Sequence, residues 1–230
     1  MEMLKLTAHI KTPTVLSSPL HLDGILTAVH PAMHNMDARP TRYDLHNAAV
    51  KVAPLPLHSI RSNCDRGYEW VWAASAAEFP DSAQVKNDAI VKRWTAEDTE
   101  QFRLVLSTAT GALRNRFVKF PIIITDKVYF YCISKNTKEL VRLLNRVDSL
   151  GGLRKSGYGM VSSWDAEPMQ ADWRECIVKD GVSRRRLPAS FGDSAYTELT
   201  VKPPYWHNAT RSLAVDVGAA IELSENVVIV

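Results

Sequence analysis

The densest chemistry in this chain lies in one short run, Gly151-Gly152-Leu153-Arg154-Lys155-Ser156-Gly157-Tyr158-Gly159. Its glycines let the backbone take positive φ and let another chain approach closely, while Arg154 and Lys155 supply cationic donors and free N–H groups form an anion-binding concavity. Such a loop suits a phosphate backbone. The spacing from Gly152 to Gly157 matches half of a nucleotide-triphosphate loop, but Tyr158-Gly159 stands where that motif needs Lys and then Ser or Thr. The order here is also helix to strand, the reverse of what that loop and the dinucleotide fingerprint require. A second basic cluster, Arg114, Arg116 and Lys119, follows a Thr110-Gly111 turn. Arg114 and Arg116 would share one face of a strand, a geometry fit for two successive phosphates or for a charged, solvated sheet edge.

Other chemistry is poorly supported. None of His9, His21, His30, His34, His46, His58 and His207 has a spacing that fixes a metal or pairs with a nucleophile, and Pro31 interrupts the face that His30 and His34 would share. Cys64, Cys132 and Cys176 are far apart and form no CxxC, so they are expected to be reduced and partly buried. No catalytic residue, metal or cofactor is assigned. RNA cleavage by 2′-hydroxyl attack needs only a base, an acid and a cation, so a lone histidine near Lys155 leaves that reaction open.

The elements that position the loop are legible from periodicity. Leu140, Leu143, Leu144, Val147 and Leu150 mark an amphipathic helix from 137, with Asn136 as its cap, Glu139 placed to reach back, and Gly151 at its C-terminal end. Leu4, Leu6, Ala8 and Ile10 alternate with polar residues as a first strand. A helix over 20–30 follows, with Asp23 in its first turn, where a carboxylate favours the helix dipole. The proline-bearing stretch 31–66 reads as a projecting insertion with a short strand at 48–52, and Tyr68, Trp70 and Trp72 mark a strand with an aromatic face. Residues 78–99 read as irregular or briefly helical. Strands are expected at 102–106 and 115–120, and Ile122–Ile124 and Val128–Ile133 as central sheet strands. After a strand at 158–164 come Arg184-Arg185-Arg186 in a loop, short strands near 196–202, 211–217 and 226–230, and an exposed aromatic turn over Lys202–His207. This order predicts an α+β fold, a ferredoxin-like or RRM-type βαββαβ core with a large insertion and a β-rich C-terminal extension.

The GGLRKSGYG loop after the second helix resembles the glycine-rich loop of the repeat-associated (RAMP) superfamily of CRISPR proteins, and Pro19-Leu20-His21-Leu22-Asp23-Gly24-Ile25-Leu26 looks like the start of the first helix in such proteins. Within that superfamily the chain looks most like the Cas-five-like subunit of type IV effector complexes. The resemblance implies a non-catalytic subunit that caps the 5′ handle of the guide RNA (crRNA), docks against a backbone (Cas-seven-like) subunit and a large subunit, and meets target DNA only indirectly. The RNA contacts would come from Gly151, Gly152, Arg154, Lys155, Ser156, Gly157, Tyr158 and Gly159, with Arg114, Arg116 and Lys119. A metal-independent guide-RNA endonuclease and a stand-alone RRM-like module are the alternatives.

Length and composition bound this reading without deciding it. The 230 residues, 46% of them hydrophobic, suit a single domain over 1–230, with its core in 3–30 and 122–164, an insertion over about 31–121 and an extension over about 165–230. A formal charge of +3 is only mildly basic, so an RNA surface must come from local clustering. No apolar run approaches the ~20 residues of a spanning helix and the N-terminus shows no signal core, which predicts a cytoplasmic protein with no membrane partner.

Overall fold

The computed structural model describes residues 2–31, 52–64, 67–92, 116–205 and 210–230. In chain order come β1 (Glu2–Ile10), β2 (Thr14–Val15), α1 (Leu22–Val29), β3 (Ser59–Cys64), β4 (Gly67–Trp72), β5 (Gln84–Lys92), β6 (Arg116–Ile124), β7 (Lys127–Ser134), α2 (Thr137–Leu144) and β8 (Val161–Met169), followed by a series of short strands. β1 is the centre of a three-stranded antiparallel sheet with β7 on one side and β8 on the other, so that Leu6 lies between Phe130 and Ala166. One face of this sheet is apolar at every second position, with Leu4, Leu6 and Ala8 of β1 and Val128, Phe130 and Cys132 of β7 buried. Both helices pack on that face. α1 buries Leu22, Ile25 and Leu26 there, and α2 buries Leu140, Leu143 and Leu144.

The expected ferredoxin-like βαββαβ core is not what forms. The described residues are mostly β-sheet, in several small antiparallel sheets, with two α-helices of eight residues each. Two features explain the difference. The outer edge of β7, where a fourth core strand would run, is met by irregular chain, through the isolated bridges Leu57–Ser134, Ala74–Cys132 and Glu78–Tyr129 and backbone hydrogen bonds such as Ser75 to Tyr131 and Ile133 to Ala73, and not by a regular strand. The aromatic strand expected around Trp70 does form, as β4, but it pairs with β3, which in turn pairs with Val227–Ile229. In addition, 122–124 do not belong to the central sheet. They end β6, which pairs along its length with β5 and, through Ile122 and Ile123, with β2. Residues 84–92 are thus a nine-residue strand where irregular or helical chain was expected.

The C-terminal strands close over the other face of the β1 sheet. Thr197–Thr200, Arg211–Val215 and Leu187–Pro188 form one sheet, and Val178–Lys179 and Val182–Ser183 a hairpin. Together with β3, β4, Met3 and Ile133 they bury a second apolar cluster that includes Cys176, Ile177, Phe191, Val201 and Ala214. The expected strands at 48–52 and 102–106 fall outside the described residues, apart from Val52, which is not in a strand.

Candidate nucleic-acid interface

α2 is capped as its sequence foretells, with the Asn136 side chain accepting from the Glu139 N–H at 3.1 Å. Glu139 does not complete the box. Its carboxylate instead takes Arg142 one turn on, at 2.7 Å, and the Ser134 hydroxyl accepts from the Asn136 N–H. The helix also ends earlier than its apolar pattern does. Arg146 and Val147 donate to Leu143 and Leu144, three-residue bonds that tighten the last turn, and the chain then leaves the axis while still burying Val147 and Leu150. Gly151 is therefore no helix cap. Its φ of 79° turns the chain toward β2, and Gly152 donates to the Val15 carbonyl at 2.7 Å.

The glycine-rich loop is a built structure. Arg154–Ser156 form one 3-10 turn, entered through Leu153 at φ 53° and left through Gly157 at φ 84°. Gly159, at φ 66°, donates to Pro13 and accepts from Leu150, so closely that a Cβ there would sit 2.0 Å from the Leu150 carbonyl oxygen. Tyr158 anchors the opposite side. Its hydroxyl donates to the Asp88 carboxylate of β5 at 2.6 Å, and its ring meets Phe120 of β6 edge-on, centroids 5.6 Å apart. That hydrogen bond and one from the Ala89 N–H hold the Asp88 carboxyl below its usual range, and the same contact raises the Tyr158 phenol. With the backbone pinned on both sides, Leu153 through Gly157 are left exposed, and the Arg154 and Lys155 side chains stand in solvent at the crest.

Of the second basic cluster, Arg116 and Lys119 belong to β6. Lys119 is exposed on β6, its ammonium 5.6 Å from the Phe117 ring, on the face opposite the one Phe120 presents to Tyr158. Arg114 lies outside the described residues.

Below the loop opens a cleft of about 390 Å³ between α1 and the segment that follows α2. Its rim carries Arg146, Arg154 and Arg186, brought from three separate segments, with Asp148 among them. Its walls include Leu20, Ile25 and Val29. Tyr205 also lines it, stacked on His21 with centroids 4.5 Å apart and planes 12° from parallel. Burial, and then the charges of Arg185 and Arg186, push the His21 imidazole well below its ordinary pKa, so it is neutral at pH 7. Both ring nitrogens are enclosed without a hydrogen-bond partner among the described residues. Sequence reasoning missed Arg146, Arg186 and Tyr205 because nothing local links them. The available signal was Asp23 on an otherwise apolar helix and three consecutive arginines far downstream, charges that need partners if buried.

Those arginines are not one loop surface. Arg184 pairs with Glu78 at 2.6 Å and lies over the Tyr131 ring, Arg185 is fully buried against Asp23, and Arg186 pairs with Asp216 at 3.0 Å. Tyr205 likewise does not belong to an exposed turn, since its hydroxyl donates to Asp23 at 2.8 Å. Cys132 and Cys176 are fully buried. Desolvation raises both thiols, Cys176 to about 12, and leaves both inert. The described residues contain no group of three or more His, Cys, Asp or Glu able to hold a metal, and no helix among them is long and apolar enough to cross a membrane.

The family model of the CRISPR type IV associated protein Csf3 matches residues 80–216, a span that takes in the β5–β6 ribbon, α2, the glycine-rich loop and the three arginines. No curated protein matches the chain.

Proposed function

Because the chain belongs to the Csf3 family of CRISPR type IV associated proteins, we propose that it is a non-catalytic subunit of a type IV ribonucleoprotein effector complex that holds the guide RNA and caps its 5′ handle. On this reading it is a RAMP-type, Cas-five-like subunit that docks against a backbone subunit and a large subunit. The observation that carries the reading is the loop itself. Its backbone is held to Pro13 and Val15 on one side, its Tyr158 side chain to the β5–β6 ribbon on the other, and between them two cations stay exposed. A loop that only had to reverse the chain would not need Arg154 and Lys155 at its crest, whereas a phosphate-gripping loop does.

The test uses single-stranded repeat RNA and the purified protein, with Arg154→Ala and Lys155→Ala as variants. Each deletes a solvent-exposed cation and leaves the backbone path intact. Each should weaken binding by a similar factor whatever the base sequence, and flatten the slope of log affinity against log salt by ~0.7 for each phosphate no longer neutralised. The RNA should be recovered uncut. Folded variants with unchanged affinity and slope would remove the loop from the RNA contacts, and specific cleavage abolished by changing one histidine to Ala would replace this reading with an endonuclease.

A further inference from the structure

The Arg-rimmed cleft between α1 and the loop divides its chemistry in a way that matches one ligand class. Building on the RNA-binding reading above, we infer that it is a subsite for a single nucleotide splayed out of the guide RNA, with phosphate at the arginine rim and base against the apolar wall. Three observations carry this. The volume, about 390 Å³, is at the small end of ligand pockets and suits one nucleotide rather than a helix or a peptide. Guanidinium groups match phosphate geometry bidentately, and the exposed Arg146 and Arg154 both line the cleft, with Arg186 beside them held by Asp216 at 3.0 Å. Asp148 also lines the cleft, its carboxylate accepting from the Ser149 hydroxyl at 2.8 Å, and the lining stays net cationic. The rest of the lining is uncharged and includes Ile25 and Val29 of α1, Leu20, and the stacked rings of Tyr205 and neutral His21. Recognition of single-stranded RNA commonly combines these two parts, a cationic track for the backbone and a flat apolar surface for an unstacked base. Arg154 belongs to both the loop and the rim, so the cleft continues the loop's phosphate path.

Two substitutions separate the halves of the site without touching the core. Arg146 and Ala28 are both exposed. Arg146→Gln removes a rim cation, and Ala28→Trp fills the cleft from the surface of α1. The probe is fluorescein-labelled single-stranded repeat RNA, titrated at several salt concentrations, with nucleoside 5′-monophosphates as competitors. Arg146→Gln should weaken binding and flatten the salt slope by ~0.7, as release of one phosphate requires. Ala28→Trp should weaken binding about ten-fold, the worth of one stacked base, with the salt slope unchanged. If the wild-type chain binds RNA and Arg154→Ala weakens it, but both cleft variants bind like wild type, the subsite is overturned while the RNA-binding reading stands. An Arg146→Gln variant that no longer binds a monophosphate but binds RNA like wild type would likewise overturn it, in favour of a free-nucleotide site. A wild-type chain that binds no RNA overturns both.

Discussion

Asp23 and Arg185 form a 3.1 Å ion pair with both side chains fully buried. Neither residue announces this role in the sequence, where Asp23 reads as a helix-start carboxylate and Arg185 as the middle of a loop. The helix-start role is real, for Asp23 does accept the Gly24 N–H at 2.9 Å, but it occupies only part of the carboxylate. Tyr205 and Arg185 take the rest, and Arg185 also donates to the carbonyls of Trp72, Ala74 and Val201. Gly24 is explained by the same arrangement, since a Cβ there would lie 3.2 Å from the Tyr205 ring. Partners this distant in the chain are set by tertiary packing, which no local pattern encodes. Asp23→Asn is expected to destabilise the protein by ~3–5 kcal/mol, because it strands the Arg185 charge in a site water does not reach. Urea denaturation followed by tryptophan fluorescence measures this, and a loss below ~1 kcal/mol would mean that Arg185 finds other compensation.

Among the elements, β1, α1, β4, β7 and α2 form where periodicity places them, because each buries one continuous face. Where sequence and structure differ, apolar pattern and backbone pattern have parted. Val147 and Leu150 keep the burial rhythm of α2 after the helical hydrogen bonds have stopped, so the sequence overextends the helix. β6 is apolar on both faces yet not central, and Phe117 at 61% exposure and Val118 at 50% show that its apolar residues are not all core. β5 carries no clean alternation and gains its strand conformation from nine-residue pairing with β6. The glycine-rich loop is legible as a tight connection from helix to strand, but its composition does not say which glycines the fold needs. Gly157 has φ 84° with open space where a Cβ would stand, nothing lying within 4 Å, whereas Gly159 combines φ 66° with the 2.0 Å clash on Leu150. Gly157→Ala should therefore cost only the left-handed backbone penalty, ~1–2 kcal/mol. Gly159→Ala should cost ~1–3 kcal/mol beyond that, because the Leu150 carbonyl must move. Thermal melts of the two variants decide it, and equal losses would show that the loop relaxes around either Cβ.

At the scale of the whole molecule the C-terminal third behaves as half of the core, although in the sequence it reads as an extension. One face of the β1 sheet is apolar along β1, and the other, which carries Lys5, Thr7 and His9, is apolar at the Met3 and Ile133 end. α1 and α2 cover the one formed by Leu4, Leu6 and Phe130, while Met3 and Ile133 turn to the cluster built from Cys176, Ile177, Leu187, Phe191 and Val215. The two sides are tied through Arg185, which crosses from the C-terminal strands to Asp23 of α1, and through Val227–Ile229, which completes the sheet of β3 and β4. A chain ending at residue 170 would expose Ile60, Val71 and Ile133 and strip Asp23 of both Arg185 and Tyr205. The apolar burial lost with the C-terminal strands, added to the ~3–5 kcal/mol for breaking the buried pair, outweighs a net stability of only ~5–15 kcal/mol. The truncated chain is therefore expected to have no cooperative urea transition, and the full chain to unfold in one step, with far-UV circular dichroism and tryptophan fluorescence superimposing. Two separated transitions in the full chain, or a sharp transition in the truncated one, would show instead that the β1 sheet and its helices stand alone and that the C-terminal strands are an independent unit.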